Sequence, residues 1–351
     1  MSEGERRPTA RESAAVAGRA VIPVVLSGFG RVGRAYADRL AQASREGSGL
    51  RLAAVRTGSG EWLAPSGTDA PPPSPPSPPF TGPPAGLAAT LALTGAAVLV
   101  QALPSTPRAR ATATAEAVTA LRSGVHVVTA AKAHLLSGWR ELEEAAREGG
   151  ALIRLSAATG AALPAGDLAR SGVRGLGCRS VRACPNGTST FVLDVMARGG
   201  TLAEALAEAR RLGIAEGDPS ADLSGRDAAT KVVLLAALLW GWDAAAVRWR
   251  TEPIEESTAV AARAAAGRGR RLRAVASAAA GVPHEVRVRL EETPAGDPMH
   301  ALAGPEKAVV YGCPEAGDIT VSGGRSSPLG AALALFKDTL EVAERRRYGF
   351  G

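Results

Sequence analysis

The sequence predicts an α/β chain in which a doubly wound parallel sheet is followed by a smaller α+β domain. Short apolar runs alternate with amphipathic segments through the first 157 residues, as they do in repeated βα units. A glycine-rich turn joins the first apolar run to the first amphipathic segment. Beyond residue 158 the pattern changes to helices and to strands of alternating polarity, which favour antiparallel pairing with one wet face.

The hydrophobic pattern assigns the strands and helices of the first half. Apolar runs predict strands at 22–27, 51–56, 96–101, 125–129 and 151–156. Amphipathic stretches predict helices that begin near residue 31 and recur at 107–123 and near 138–148. A dense proline cluster within 63–87 predicts an extended or disordered surface insertion. Strands that alternate with helices in this way are expected to lie parallel to one another.

The second half is predicted to mix helices with antiparallel strands. Strands are expected at 179–185, 284–292 and 317–322, and helices at 188–198, 201–212, 225–241 and 327–346. The chain then divides into a disordered tail over 1–20, a first domain over 21–157, a second domain over 158–326 and a C-terminal segment over 327–351. The helix of the C-terminal segment is expected to return to the first domain.

The composition is that of an ordinary globular chain and argues against several classes of protein. The 351 residues are 46% hydrophobic and 21% charged, with a formal net charge of +7. Aromatic residues make up only 4% and no basic stripe is interleaved with them, so nucleic acid is not an expected partner. No apolar run is long enough to predict a membrane span. The cysteines, Cys178, Cys184 and Cys313, lack metal-ligand spacing, which predicts no metal site and a reduced, cytoplasmic setting.

The glycine-rich turn predicts a dinucleotide site. Gly28-Phe29-Gly30-Arg31-Val32-Gly33 has the G-x-G-x-x-G spacing and lies between a predicted strand and a predicted helix. Gly28 would permit the tight turn, Gly30 would let the backbone approach a pyrophosphate, and Gly33 would let helix and strand pack closely. The first domain is therefore predicted to be of the Rossmann type. The alternative is a tight strand–helix turn that binds no ligand.

The end of the second strand predicts NADP as the cofactor, with NAD as the alternative. This position carries an acid for the ribose 2′-hydroxyl in NAD-binding domains, whereas here the chain reads Val55-Arg56-Thr57-Gly58-Ser59 and has no acid. Arg56 is instead predicted to meet a 2′-phosphate, because a guanidinium is a strong donor to phosphate oxygens.

A second cluster of charge lies between residues 213 and 231. It holds four carboxylates and one ammonium, from Glu216, Asp218, Asp222, Asp227 and Lys231. Asp227 and Lys231 are four residues apart and would share one face of a helix, just before an apolar run that should be buried. This arrangement predicts acid–base chemistry at the rim of a core. The alternative is a solvated helix start with an ordinary surface ion pair.

Together with the glycine-rich turn and the charged stretch at 213–231, several segments make the chain resemble the homoserine dehydrogenase family from about residue 22 to residue 340. The matching family segments are V-V-T-A-N-K-A, N-G-T-T-N-Y, L-G-Y-A-E-x-D-P-T-A-D, G-x-D-x-x-x-K and H-P-L-A-x-V-x-G. They correspond in order to Val127–Ala133, Asn186–Phe191, Leu212–Asp222, Gly225–Lys231 and Asp297–Gly304. The long, specific match from Glu216 to Lys231 identifies the chain as a member of this family.

The resemblance implies an NADP-dependent oxidoreductase that interconverts L-homoserine and L-aspartate 4-semialdehyde in the aspartate pathway to threonine and methionine. It implies that Lys132 and Lys231 exchange the proton of the reacting hydroxyl and that Asp227 orients Lys231. The implied substrate contacts are Glu216 at the amino group, Asp222 at the polar end, and Gly187 and Thr188. Lys132 is also implied near the cofactor, together with the glycine-rich turn. The second domain would carry the substrate and the contacts of a homodimer.

Two of these residues have an ordinary structural explanation as well. Lys132 follows a strand and precedes a helix, so it could be a surface lysine at the helix start. Thr188 opens a helical stretch and could serve as its N-cap. Both positions are therefore predicted as site residues on the strength of the resemblance.

Several positions depart from the family pattern. Ala131 replaces an asparagine, Thr190 and Lys307 stand where the family has asparagine, and Ser156 replaces an acid. Two family glycines become Ala161 and Ala162. The resemblance implies a monovalent-cation site, mostly of backbone carbonyls, in the segment 155–164, and loss of the acid argues against that site here. No regulatory amino-acid-binding domain is expected after residue 351.

These departures leave two further hypotheses beside the homoserine dehydrogenase assignment. The first is a divergent paralogue that acts on a related amino-acid alcohol or semialdehyde in a specialised pathway. The second is a catalytically silent NADP-binding protein, against which the presence of Lys132, Asp227 and Lys231 argues.

Overall fold

Two six-stranded sheets organise the computed structural model, which describes residues 21–65, 84–215, 218–324 and 326–348. The predicted tail over 1–20, most of the proline-rich insertion and Glu216 lie outside these residues. The first sheet contains β1 (Ile22–Ser27), β2 (Leu50–Thr57), β3 (Gly60–Leu63), β4 (Val98–Gln101), β5 (His126–Thr129) and β6 (Ile153–Arg154). Its helices are α1 (Arg31–Arg45), α2 (Leu87–Thr94), α3 (Pro107–Arg122), α4 (Ala133–Ser137) and α5 (Trp139–Glu148).

The first sheet has the order β3-β2-β1-β4-β5-β6, and all its pairs are parallel except the pair of β2 and β3. The chain passes from β1 to β2 on one side and later to β4 on the other, so the sheet winds in both directions from β1. The predicted doubly wound α/β fold is confirmed. Ligands of such sheets bind outside the carboxyl end of the strands at this switch point, which places the glycine-rich turn after β1 at the expected crevice.

β3 was not predicted from the sequence. The hairpin turn from Thr57 to Gly60 is held by a hydrogen bond from the Thr57 hydroxyl to the carbonyl of Gly60. The strand was missed because its four residues include a buried acid, Glu61, where the pattern of a half-buried strand would place an apolar side chain. Leu63, the first residue of the predicted insertion, is therefore the last residue of this strand.

The second sheet has the order β12-β11-β7-β9-β10-β8 and is antiparallel except for the pair of β8 and β10. Its strands are β7 (Ser180–Cys184), β8 (Arg248–Thr251), β9 (Arg271–Ala279), β10 (Glu285–Thr293), β11 (Lys307–Cys313) and β12 (Gly317–Gly323). The remaining α-helices are α6 (Ser156–Thr159), α7 (Ala165–Asp167), α8 (Gly187–Ala197), α9 (Leu202–Arg211), α10 (Ser220–Leu223), α11 (Arg226–Trp240), α12 (Thr258–Gly267) and α13 (Pro328–Tyr348). A π-helix spans Leu168–Gly172, and 3-10 helices span Arg174–Leu176 and Ala244–Ala246.

Helix α11 connects the two sheets through one continuous hydrophobic core. Its run from Val232 to Ala237 is fully buried and packs in a cluster that includes Leu99 of the first sheet and Val309 of the second. The helix begins after Gly225, which has φ +75° and lets the chain turn sharply into the first helical residue. Asp227 lies in this first turn, so the core fixes the position of the carboxylate.

Helix α13 packs against α1 and the first sheet. Its residues Leu335 and Phe336 join the apolar cluster of β1, and Thr339 shares a buried hydrogen bond of 3.0 Å with the hydroxyl of Tyr36. Glu341 accepts two hydrogen bonds from Arg154 at the end of β6. The last helix is thereby joined to the domain that opens the chain. Among the residues that the structure describes, no helix is long and apolar enough to cross a membrane.

The packing of the glycine-rich turn predicts that two of its glycines differ in their effect on stability. A Cβ at Gly33 would lie 2.1 Å from the carbonyl oxygen of Gly28, whereas a Cβ at Gly30 would meet no atom within 4 Å. We expect Gly33→Ala to lower the free energy of unfolding by about 1–3 kcal/mol, the usual cost of overpacking. Gly30→Ala should cost less than about 1 kcal/mol. Chemical denaturation of the protein without cofactor measures both, and equal losses would contradict this packing.

Candidate functional site

The glycine-rich turn has the shape that a pyrophosphate requires. Gly28 has φ +96°, and a Cβ there would lie 2.6 Å from the carbonyl oxygen of Ala102, so only glycine fits. Helix α1 begins directly after Gly30 and has no side-chain cap on its N-terminus. The first backbone N–H groups of a helix need partners, and the helix dipole favours an anion there. The open space at Gly30 leaves room for that anion. These residues fit a dinucleotide.

Arg56 does not present its guanidinium as the sequence analysis predicted. The residue is only 6% exposed, and its Nη1 donates to Glu61 at 2.5 Å and to the hydroxyl of Thr90. Its Nη2 donates to the carbonyl of Ala85 at 2.7 Å. The prediction that Arg56 meets a 2′-phosphate therefore needs correction: the unpredicted strand β3 brings Glu61 opposite Arg56, and the resulting buried ion pair uses these donors.

The structure brings Lys132, Asp227 and Lys231 together. The Nζ of Lys132 donates to Oδ1 of Asp227 at 2.6 Å, and the Nζ of Lys231 donates to Oδ2 of the same carboxylate at 2.6 Å. Lys132 precedes α4 at the end of β5, whereas the other two residues lie on one face of α11, ninety-five and ninety-nine positions later. One carboxylate thus joins an amine from the first domain to an amine from the second.

The electrostatics of Asp227 depend on this pair of amines. Burial alone would raise the pKa of the carboxyl group, but the charges of Lys231 and Lys132 and their hydrogen bonds outweigh it. The pKa of Asp227 therefore lies far below the ordinary value for aspartate, and the group stays ionised. A permanently charged acid of this kind holds two cations in place without exchanging protons itself.

Asn186 also belongs to the site and was not singled out from the sequence. Its Nδ2 donates to Asp222 at 2.6 Å and to Oδ2 of Asp227 at 2.7 Å, so it bridges the two carboxylates. Its Oδ1 accepts from the backbone N–H of Ser189 and caps α8. The segment Asn-Gly-Thr at the start of a predicted helix is the sequence feature that could have assigned this residue, because asparagine is a preferred N-cap.

The surroundings of Asp222 shift its pKa in the opposite direction from that of Asp227. Burial and then the neighbouring charge of Asp227 raise the pKa of Asp222, with the amide of Asn186 opposing them. The two carboxyl groups therefore have their pKa values shifted in opposite directions, although one asparagine bridges them. Such divergent pairs are frequent in sites that handle protons.

Gly187 and Thr188 make contacts within the protein at the start of α8, and their contact with substrate stays a prediction. The hydroxyl of Thr188 donates to the carbonyl of Ile214 at 3.3 Å. The alternative that Thr188 caps α8 is wrong, since Asn186 is the cap. A Cβ at Gly187 would lie 2.3 Å from the carbonyl oxygen of Pro305, so glycine lets the segment before β11 pass close to the site.

Lys307 also belongs to the surroundings of the site, where the sequence marked it only as a departure from the family pattern. It begins β11, is 1% exposed, and donates from Nζ to the carbonyl of Gly160 at 2.7 Å. Burial, and then the charge of Lys231, lowers the pKa of Lys307 to about 7, while Asp227 opposes the shift. The amino-acid composition also indicates that Lys307 belongs to this site. The chain has 37 arginines and only four lysines, and three of the four meet at this site.

A cleft of about 510 Å³ between the two domains reaches Lys132 and Asp227. Its walls include Ser105 and Arg110 from the first domain and Trp249 from the second. This volume is within the range of small-molecule sites. The ion pair of Lys132 and Asp227 is therefore accessible to a ligand of modest size, on the side of the sheet where the glycine-rich turn lies.

Comparisons with known proteins agree with this geometry. The profile of the family described as "Homoserine dehydrogenase" matches residues 164–340. A homoserine dehydrogenase of Methanocaldococcus jannaschii is 29% identical over 246 residues, which cover 70% of this chain and 72% of that protein. An NAD(+)-dependent homoserine dehydrogenase of Pseudomonas canavaninivorans is 35% identical over 142 residues, 40% of each protein.

Solved structures show the same fold. A hyperthermophilic archaeal homoserine dehydrogenase in complex with NADPH superposes with a TM-score of 0.74 at 23% identity, covering 92% of this chain and 98% of that one. The profile match, together with the fold and the paired lysines, leads to one conclusion: the chain belongs to the homoserine dehydrogenase family of oxidoreductases, which act on a CH–OH group.

Proposed function

We propose that the protein catalyses the NADP-dependent interconversion of L-homoserine and L-aspartate 4-semialdehyde. The observation that carries this proposal is the convergence of two amines from different domains on the two oxygens of buried Asp227. Reduction of an aldehyde needs a proton donor and a positive charge at the oxygen that becomes an alkoxide. Two lysines on one carboxylate supply both, and Lys132 and Asp227 line the cleft between the domains.

The contacts of Lys231 leave one of its N–H groups to donate to the oxygen of the substrate. An ammonium has three N–H groups. In Lys231 one donates to Asp227 and another to the carbonyl of Pro185 at 2.9 Å, which leaves the third for the substrate oxygen. When bound, the cofactor supplies or accepts the hydride. In the reducing direction Lys231 or Lys132 gives a proton to the developing alkoxide, and in the oxidising direction the amine removes the hydroxyl proton.

The amino group of the substrate needs an anion, and the chain offers two acids nearby in sequence. Asp222 lies within the polar cluster of Asn186 and Asp227. Glu216 precedes Asp222 by six residues and lies outside the described part of the chain. We assign Glu216 to the substrate ammonium and Asp222 to the polar end, in keeping with the family resemblance.

NADP is the proposed cofactor, although a relative of the family uses NAD(+). The end of β2 has no acid that would accept from the ribose 2′-hydroxyl and repel a 2′-phosphate. Because Arg56 is engaged with Glu61 and the Thr57 hydroxyl donates to Gly60, we assign the 2′-phosphate to the exposed hydroxyl of Ser59 in the β2–β3 turn. The NADPH complex of a protein with the same fold supports this choice.

A homodimer and a cytoplasmic location complete the proposal. The homodimer follows from the family resemblance, with the second domain carrying the subunit contacts. The location is supported by the three cysteines, which are all free and buried.

A divergent paralogue acting on a related amino-acid semialdehyde is the second candidate. The observation that favours it is the altered surroundings of the site, where Ser156 and Lys307 replace an acid and an asparagine of the family. Assays with NADPH separate the candidates. Turnover of aspartate 4-semialdehyde supports the first, whereas turnover of a related aldehyde alone supports the second. Binding of NADPH without turnover of any aldehyde would support a silent binding protein.

Replacement of the lysines tests the acid–base assignment. We expect Lys231→Met to lower kcat by about 10²–10⁴-fold, the usual worth of a positioned acid–base group, and to leave NADPH affinity nearly unchanged. Lys132→Met is the matched variant, since it removes the other amine from the same carboxylate. The variant that also loses the pH dependence of kcat identifies the principal proton donor. Near-normal turnover in both variants would show that neither lysine moves the proton.

Asp227→Asn should destabilise the protein in a pH-dependent manner. The pKa of Asp227 is lower in the folded than in the unfolded protein, so its contribution to stability is present above pH ~4 and is lost as the pH falls. We therefore expect the wild type to be about 3 kcal/mol more stable than the variant near pH 7. The gap should narrow progressively as the pH is lowered from about 4 to about 2. A gap that is constant over this range would mean that the carboxylate charge does not stabilise the fold.

Cofactor choice is expected to depend on the β2–β3 turn rather than on Arg56. Thr57→Asp should lower the ratio of kcat/KM with NADPH to kcat/KM with NADH by at least about tenfold, because the new acid repels a 2′-phosphate. Arg56→Met should lower stability and leave this ratio within about threefold, since the guanidinium serves the buried pair with Glu61. A wild type that uses NADH as well as NADPH, or an Arg56 variant with an inverted ratio, would contradict this assignment.

A further inference from the structure

The segment 155–164 does not fit the monovalent cation that the family resemblance implies. Ser156 stands at the acidic position of the family, and its hydroxyl donates to Asp338 and Asp167. The Nζ of Lys337 lies 2.6 Å from Asp167 and 2.7 Å from Asp338, so both carboxylates already have a cationic partner. A bound ion would lack the family's acid and would face a positive charge instead.

Lys307 places a second ammonium against the same segment. Its Nζ lies 2.7 Å from the carbonyl oxygen of Gly160, and the residue is buried. Lys307 is brought there by β11, which pairs with β7 so that Ala308 lies opposite Cys184. The close contact of Pro305 with Gly187 seats the preceding residues beside Asn186. Lys307 therefore lies between the 155–164 segment and the carboxylate cluster of the candidate site.

The turn that contains Gly160 needs a partner of this kind. Ala161 has φ +51°, a left-handed conformation that is costly for a residue other than glycine. The Gly160 carbonyl accepts from the N–H of Leu163 as well as from Lys307. In this arrangement an ammonium tethered to a strand holds a strained turn. A free ion in its place would have to be captured from solution.

We propose that the ammonium of Lys307 is a tethered replacement for the monovalent cation of the family. It supplies the single positive charge that holds the 155–164 segment against β11 and behind Lys231 and Asp227. The protein consequently needs no sodium or potassium ion for folding or activity. Lys307 acts as a positioning residue, because its charge reaches the reacting atoms only through the turn and the carboxylate cluster.

Ion dependence of thermal stability tests this proposal without reference to the substrate. Melting temperatures of the full chain are measured at pH 6.5 and constant ionic strength, in chloride salts of sodium, potassium, ammonium and tetramethylammonium. The wild type should melt at the same temperature in all four salts. Lys307→Ala should melt lower, and sodium, potassium or ammonium should restore at least about 3 °C in a saturable way relative to tetramethylammonium. Lys307→Met is the control, since its side chain fills the space without a charge and should not respond.

The outcomes separate the tethered charge from the alternatives. Saturable stabilisation of the wild type by sodium or potassium would overturn the proposal, because an ion would then bind beside Lys307. A Lys307→Ala variant that melts like the wild type, or melts lower with no ion response, would overturn it as well. The kinetic arm rests on the proposed function: kcat of Lys307→Ala with NADPH and aspartate 4-semialdehyde should rise with the same ions. If the ions stabilise Lys307→Ala against heat but do not raise its kcat, the result would contradict the proposed substrate and not the tethered charge.

Discussion

The buried carboxylate of Asp227 is the group on which the rest of the site depends. It joins Lys132 of the first domain to Lys231 of the second, and it is bridged to Asp222 through Asn186. An ionised carboxylate in a largely buried place is tolerable only when it is paired and hydrogen-bonded. The same pairing that satisfies this constraint holds two amines at the junction of the domains, and one of them, Lys132, lines the cleft. The stability of the junction and the proposed chemistry therefore have one cause.

The fold supplies this geometry with few elements. Strand β5 of the doubly wound sheet ends shortly before Lys132. The buried run of α11 holds Asp227 and Lys231 one helical turn apart. A single hydrophobic cluster includes residues of both sheets and of α11, so the amines are positioned by packed secondary structure rather than by loops. Side chains positioned by packed secondary structure are already ordered before a substrate binds, so little conformational entropy is lost in orienting them.

Local pattern and spacing predicted five of the six strands of the first sheet, the nucleotide turn, and Asp227 and Lys231 as a charged pair, whereas Lys132 was predicted only from the family resemblance. They were insufficient where a side chain's partner comes from a distant part of the chain. Arg56 has the right place for a phosphate contact, but the short strand β3 folds Glu61 onto it. Asn186 acts through two acids 36 and 41 residues away, and Lys307 through a carbonyl 147 residues away. Contacts of such separation are decided by topology, which periodicity does not encode.

A crystal structure of the protein with NADP and L-homoserine is the most direct test of this account. We expect the substrate hydroxyl oxygen to lie within about 3.2 Å of the Nζ of Lys231 or Lys132. Its carbon should face the nicotinamide ring, and Asp227 should still contact both amines. A substrate bound with its hydroxyl more than about 5 Å from both amines, in a closed complex, would contradict it.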